Sequence, residues 1–462
     1  MAGRERMASM DAAWLQMEEP ANLMMITAVL WFDGALELER LRAVVRERLV
    51  ERYPRFRQRV VPGPLGAPHW EDAPDFELEE HLSTLRVPES AGREGLEALV
   101  GDWLGVPLDR SRPLWHFHLV RGAPGGDVLL ARLHHCIADG IALARVLLSL
   151  TDPVDAGAVP EAEARDEGSD AQLPSEEERP PRAPGWMRFA RGARSALRKG
   201  AEMVREPILA GDLVREGAKG AAALGKLLVL PPDPRSPLRG PLSPRKLTAW
   251  SEPIELERVK AVGRTLGGTV NDVLLTAVTG ALRRYLATRD APLEDVHALV
   301  PVNLRPMDVP VPRELGNRFG VVFLRLPVHL PEPRRRLREV MKRMEHLKRS
   351  PEAVVTFGIL ELLGRAPAAL ERAVVDVMGT KASLVATNVP GPRQPVSLAG
   401  SRLRGLTFWV PQAGHVGLGV SLLSYSGQVT VGVASDASRV PDPGAIVAAF
   451  QEELDALATL AP

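Results

Sequence analysis

The sequence predicts an α/β protein built as two halves, and three observations carry that expectation. Its 462 residues exceed what one hydrophobic core usually organises. Strand-like and helix-like stretches alternate up to about Leu150 and again from about Lys246 onward. Between them the composition shifts to Pro, Ala, Asp and Glu, text that cannot bury a core. The expected division is residues 1–152, a connecting stretch 153–245, and residues 246–462.

Each element has its own justification. Ala21 to Phe32 is apolar but too short to span a bilayer, so it reads as a strand. Leu36 to Tyr53 has helical spacing and stops before Pro54. Gly126 to His134 is strand-like, and Gly140 to Leu150 continues as a helix with Asp139 at its N-cap or first turn. The connecting stretch holds Glu176, Glu177 and Glu178 in a row, then six basic residues and no acidic one between Arg182 and Lys199. At helical period Trp186, Phe189, Ala193 and Leu197 share one side, and the arginines from Arg188 onward take the other. That pattern suits a helix lying on anionic lipid, and equally a surface helix with a solvated basic face. The second half predicts a helix at Val270 to Leu286, strands near Val296 to Leu304 and Arg318 to Pro327, and a helix at Arg334 to Arg349. Strands near Ser383 to Asn388, Val416 to Ser424 and Gln428 to Ser435 follow, with a last helix at Pro443 to Leu460. Asn388 to Pro392 (NVPGP) reads as a rigid turn.

Composition narrows the function classes. Lys plus Arg and Asp plus Glu both number 58, so no global field draws in nucleic acid. The single cysteine, Cys136, excludes an intrachain disulfide and points to a reducing compartment. The first residues lack the apolar core of a secretory signal, which leads to the expectation of a cytoplasmic protein, soluble or peripheral on a membrane.

The residues with the clearest chemistry are His134-His135-Cys136-Ile137-Ala138-Asp139-Gly140, an HHxxxDG string where a strand hands over to a helix. Neighbouring strand residues point to opposite faces, so only one of the two histidines can face a given cavity. His135 is the better choice, because with Asp139 it forms an HxxxD spacing. A neutral imidazole there can take a proton from a hydroxyl group, while the carboxylate holds the local backbone or pairs with an Arg. Histidines at strand ends also serve as plain structural residues, and the spacing alone leaves both readings open. No CxxC or HExxH predicts zinc, and no GxSxG in a strand context predicts a serine nucleophile. Cys136 reads as packed rather than nucleophilic, Trp115 as core, and His116 with His118 as sharing a strand face without further metal ligands.

Eight segments, in order, resemble the bacterial wax ester synthase/acyl-CoA:diacylglycerol acyltransferase family. Met10 to Ile26 (MDAAWLQMEEPANLMMI) is similar to its opening strand region, Pro107 to Trp115 carries PLW, and HHCIADG matches HHxxxDG. Thr269 to Leu275 (TVNDVLL) contains an Asn-Asp pair. LVPVNLR ending at Arg305, LGNRFG from Leu315, ATNVPGP from Ala386 and LLSYSGQVTVGVASD from Leu422 complete the set. The resemblance implies two chloramphenicol-acetyltransferase-like (condensation-domain-like) halves with an interface tunnel. It implies acyl transfer from acyl-CoA, as substrate and without cofactor or metal, to diacylglycerol or a long-chain alcohol. By that analogy His135 is the general base, Asp139 mainly structural, and Asn271 lies near the reacting centre, supported by Asp272. His134, Gly140, Asp272 and Asn388 are expected around the substrate, and the membrane or a lipid inclusion is the expected meeting place. Cys136, Asn303 and Gly320 depart from the commoner Ala, Ser and Ser, departures that bear on acceptor preference rather than on the chemistry. The alternatives are a condensation-domain-like enzyme using a carrier-protein thioester and an inactive lipid-binding homologue.

Overall fold

The computed structural model describes residues 4–63, 66–154, 231–305, 312–350, 352–363, 368–412 and 414–461. The acidic text and the basic segment from Arg182 to Lys199 lie outside these residues. In chain order the first half contains β1 (Glu5–Arg6), α1 (Ser9–Gln16), β2 (Met25–Phe32), α2 (Leu38–Val45), β3 (Gln58–Pro62) and β4 (Pro68–Asp72). It continues with β5 (Leu82–Arg86), α3 (Gly92–Leu104), β6 (Trp115–Arg121), β7 (Val128–His134), α4 (Gly140–Leu148) and β8 (Asp152–Pro153). The second half runs β9 (Lys246–Trp250), β10 (Ile254–Glu255), α5 (Leu256–Leu266), α6 (Val270–Ala287), β11 (Val296–Asn303), β12 (Phe319–Leu326) and α7 (Pro333–Lys348). After these come α8 (Glu352–Leu363), α9 (Ala368–Gly379), β13 (Leu384–Pro390), β14 (Val396–Leu398), β15 (Ser401–Trp409), β16 (Leu418–Tyr425), β17 (Gln428–Asp436) and α10 (Pro443–Thr459).

Two seven-stranded sheets organise the described residues, beside a small sheet of β1, β4 and β3. The first has the order β5-β6-β7-β2-β15-β14-β8, the second β10-β17-β16-β13-β11-β12 with β9 also paired to β17. Strand β2 explains the first sheet. All eight of its residues are buried, because β7 and β15 pair with its two edges and both faces carry packed layers. Its partner β15 comes from the other half of the sequence. Leu406 and Phe408 point into the first core, while Trp409 makes a tilted ring contact with Trp250, centroids 6.0 Å apart, between the halves. The second half therefore lends residues 396–409 to the first sheet, and a division at 246 follows the chain but not the packing.

Most expected elements stand within a few residues of their predicted ends. Two segments differ. Met10 to Ile26 begins as helix α1 rather than as a strand, and only its last residues join β2. Asn388 to Pro390 is the end of β13, not a turn, because it runs parallel to β16 with Asn388 opposite Leu422. The chain turns only afterwards, where Gly391 donates its N–H to Ser424 O at 2.7 Å. A Cβ at 391 would lie 2.6 Å from that same oxygen, so glycine permits the close approach.

The edge strand β12 is sealed by helix α8. Thr356 Oγ1 donates to Val321 O at 2.6 Å and accepts from Val321 N at 2.8 Å, and Glu352 accepts from Phe323 N at 2.7 Å. Helix and strand come this close because residue 320 is glycine: a Cβ there would meet Ala353 O at 1.8 Å. Gly320→Ala is expected to lower unfolding free energy by about 1–3 kcal/mol, the usual cost of forcing a methyl into packed backbone. Urea titration of the two proteins checks it; equal midpoints and slopes would refute the packing argument.

Candidate active site

The HHxxxDG residues sit where β7 ends and α4 begins. Backbone pairing carries on past the strand, with His135 N donating to Met24 O at 2.7 Å. The two histidines then part company. His134 Nδ1 accepts from Cys136 N at 3.0 Å, which leaves Nε2–H to donate to Glu18 Oε2 at 3.0 Å. Burial opposes the Glu18 charge, yet hydrogen bonds from His134 and Arg110 outweigh it and hold this carboxyl at about 2. His134 is buried and structural; it does not line the cavity described below. Cys136 is fully buried, and burial pushes its thiol up, away from reactivity.

His135 faces a cavity between the halves. Its ring is stacked on Trp14 of α1, centroids 4.1 Å apart at 18°, with Phe319 of β12 on a tilted ring contact at 5.4 Å. Its Nδ1 lies 2.8 Å from Asn317 Oδ1. The Asn317 Nδ2 donates to His135 O at 2.7 Å and to Asp11 Oδ1 at 2.8 Å. Because Asn317 presents its carbonyl, Nδ1 of His135 must carry the proton, and Nε2 has no protein partner among the described residues. Burial pushes the imidazolium down to about 3, so the ring is neutral across ordinary pH. The cavity wall is largely apolar, with Leu299, Val321, Val385 and Phe408, and it includes Gly140, Asn303 and Asn388.

Asp139 performs two tasks with two oxygens. Oδ1 caps α4 by accepting from Ala142 N at 2.9 Å, and Oδ2 accepts from Arg318 N at 3.0 Å. Arg305 forms an ion pair with it at 3.0 Å. The carboxylate makes no hydrogen bond to the imidazole; Asn317 holds Nδ1 instead. Gly140 opens α4 on the cavity wall, where a Cβ would meet only ordinary contacts at 3.6 Å or more.

The Asn-Asp pair at the start of α6 stands further back. Asn271 Oδ1 accepts from Asn388 Nδ2 at 2.9 Å, so it reaches the cavity only through Asn388. Asp272 closes a capping box with Thr269: its Oδ2 accepts from Thr269 N at 2.9 Å, and Asp272 N donates to Thr269 Oγ1 at 3.2 Å. A T-x-x-D string before an apolar run carried that signal in the sequence. Its position is one of helix capping, not of contact with a ligand in this cavity. Away from the site, Trp115 is core with its indole N–H on Phe56 O at 2.8 Å, and His116 and His118 share the Ser83 hydroxyl.

Asp11, Trp14 and Asn317 belong to this site, and the sequence analysis singled out none of the three as a site residue. The only available signal was their place in recurring segments, MDAAW and LGNRFG. Pairing across 182 and 306 residues leaves no trace in local spacing.

The chain resembles known proteins over most of its length. Residues 7–274 match the model of the wax ester synthase/diacylglycerol acyltransferase catalytic domain, and residues 315–458 the C-terminal domain of the same family. The chain is 29% identical over 418 residues to a probable diacylglycerol O-acyltransferase of Mycobacterium tuberculosis, covering 87% of this chain and 84% of that one. Its fold is similar to the wax ester synthase/diacylglycerol acyltransferase from Marinobacter aquaeolei VT8, with TM-score 0.68, 22% identity and 99% of each chain covered. It is also similar to the first condensation domain of the calcium-dependent antibiotic synthetase, with TM-score 0.57, 18% identity and 100% and 97% covered.

Removing the Asp139 carboxylate should cost stability. Asp139→Ala uncaps α4 and leaves Arg305 unpaired, for an expected loss of about 3 kcal/mol in urea unfolding. A loss under about 0.5 kcal/mol would show that the two halves do not depend on this carboxylate.

Proposed function

This chain belongs to the wax ester synthase/diacylglycerol acyltransferase family, and we propose that it esterifies diacylglycerol or a long-chain alcohol with a fatty acyl group from acyl-CoA, using His135 as general base. The observation that carries this reading is the His135 ring itself: neutral, anchored through Nδ1, and presented to an apolar cavity with Nε2 free of protein partners among the described residues.

An alcohol is a weak nucleophile and a thioester an activated acyl donor, so proton removal is what the site must supply. Nε2 takes the hydroxyl proton as the oxygen attacks the thioester carbonyl carbon. The tetrahedral intermediate then expels the CoA thiolate, which recovers the proton from the imidazolium. The products are an ester and free CoA thiol. Donors within reach of the oxyanion are the second amide N–H of Asn388 on the cavity wall and the N–H groups of Gly140 and Ile141 at the positive end of α4. Asn271 acts at one remove, by orienting Asn388.

The test is free-thiol release from palmitoyl-CoA against hexadecanol, diolein, short alcohols and amines. Release with hexadecanol or diolein and none with amines is expected, and His135→Ala should lower kcat by about two to four orders of magnitude while remaining folded. A folded His135→Ala with near-normal turnover would sink the mechanism. A wild-type protein that releases no thiol with any alcohol would favour a lipid-binding role.

Both acceptors are water-insoluble, so delivery from a lipid surface is part of the proposal. Among the described residues no helix is long and apolar enough to cross a membrane. The sequence of Arg182 to Lys199 alone supports a surface contact. Deleting residues 182–204 is expected to reduce co-sedimentation with anionic liposomes, and unchanged co-sedimentation removes this part.

A further inference from the structure

We propose that Asp11 and Asn317 are positioning residues of acyl transfer: Asp11 locks the rotamer of the Asn317 amide, and that amide locks His135 in the Nδ1–H tautomer with its Nε2 lone pair in the cavity. This rests on the reading of His135 as base, and goes beyond it by assigning what makes the ring a base rather than a donor.

The geometry admits one orientation of the amide. Asn317 Nδ2 lies between two atoms that can only accept, Asp11 Oδ1 at 2.8 Å and His135 O at 2.7 Å. A flipped amide would set its carbonyl against a carboxylate and a carbonyl and lose both hydrogen bonds. It would also turn its NH2 toward His135 Nδ1, favouring the opposite tautomer and placing a proton where a lone pair is needed. Asp11 grips the same residue twice, since Asn317 N also donates to Asp11 Oδ1 at 2.9 Å. The chain is built for this approach. Gly316 has φ +155°, and a Cβ there would lie 3.3 Å from Asp11 Oδ2.

A structural filler would not need a carboxylate. Asp11 is 2% exposed and forms no salt bridge among the described residues, an expensive burial unless the negative charge does something an apolar side chain cannot. What it does is exclude the flipped amide. The groups around it are Asn317, the guanidinium groups of Arg55 and Arg305, and the His135–Cys136 segment. Burial raises its carboxyl to about 6, against the lowering effects of Asn317 and then of the two arginines. Ionised above that pH, Asp11 accepts from Asn317; protonated below it, Oδ1 loses acceptor strength and the amide is released. His135, held near 3, is still neutral there. An acid limb of kcat near pH 6 is therefore expected, and it belongs to Asp11 rather than to the base.

Asp11→Asn is the test, since an isosteric amide can offer its own NH2 and tolerate the flip. With palmitoyl-CoA and hexadecanol the expected result is a fall in kcat of about a hundredfold or more, KM within about twofold, and no acid limb near pH 6. Nitrogen-15 spectra of histidine-labelled protein, with His135 assigned by its loss in His135→Gln, should show the ring moving from Nδ1–H to Nε2–H. A folded Asp11→Asn with wild-type kcat, an unchanged limb and an Nδ1–H ring overturns the proposal. Should that variant not fold, Asn317→Ser takes its place in both measurements, where a fall in kcat with a shifted tautomer supports the proposal and wild-type kcat with an Nδ1–H ring overturns it. The tautomer needs no activity to be read. If His135→Ala proves active, the base reading fails while the nitrogen spectra still decide the positioning claim.

Discussion

The grip of Gly316 to Arg318 on the end of β7 is the contact on which the site depends. These residues come from the second half, yet Asn317 holds both the ring and the carbonyl of His135, and Arg318 N holds Asp139. Asp139 in turn caps α4, so helix start, imidazole and inter-half seam share one set of buried polar groups. Separating the halves would break the Asn317 and Arg318 hydrogen bonds, while the Asp139 cap on Ala142 N lies wholly within the first half. The exchange of β14 and β15 into the first sheet acts in the same direction, since the second half cannot withdraw without tearing a strand from beside β2. The proposed base is thus held in its tautomer only in the docked molecule.

Much of this was legible in the residues. Apolar alternation and run length located β2, β7, β11 and β17, because a fully or half-buried strand must show that pattern. The acid at 139 announced a cap, and the structure has that cap. The limits were equally physical. Sequence divides the chain by composition, and nothing in SRLRGLTFW says that its strand-forming residues will pair with β2 in the other half. Proline and glycine in NVPGP signal a turn locally, but parallel pairing to β16 holds the segment extended up to Pro390. The Asn-Asp pair read as site residues because of its resemblance, whereas the hydrogen bonds make Asp272 a cap and Asn271 a support for Asn388.

Asn317 shows the same limit most sharply. An asparagine in LGNRFG looks like any loop residue after a glycine, and its meaning depends on two partners supplied by remote segments. Asp11 and Trp14 are three apart on α1 and so share a face, one reaching the amide and the other the ring. Helical spacing could have grouped them; only the fold says what they face.

Burial then decides what kind of base this can be. An imidazole held near 3 is a weak base, and in water it would be a poor choice for deprotonating an alcohol. The cavity changes the comparison. The substrates proposed for it, a thioester and a hydroxyl, are uncharged at the reacting centre, and so is the ring, so binding them there buries no charge. In the proposed step charge appears only as the proton moves: an imidazolium on His135 and an oxyanion on the former carbonyl, a few ångströms apart and largely out of water. Their attraction is strongest where the medium is least polar, and neither exists in the ground state. The apolar wall that makes His135 a weak base toward an isolated proton is therefore compatible with a strong one toward a proton leaving beside its own counter-charge. Protonation alone finds no such partner, and burial therefore holds the ring neutral.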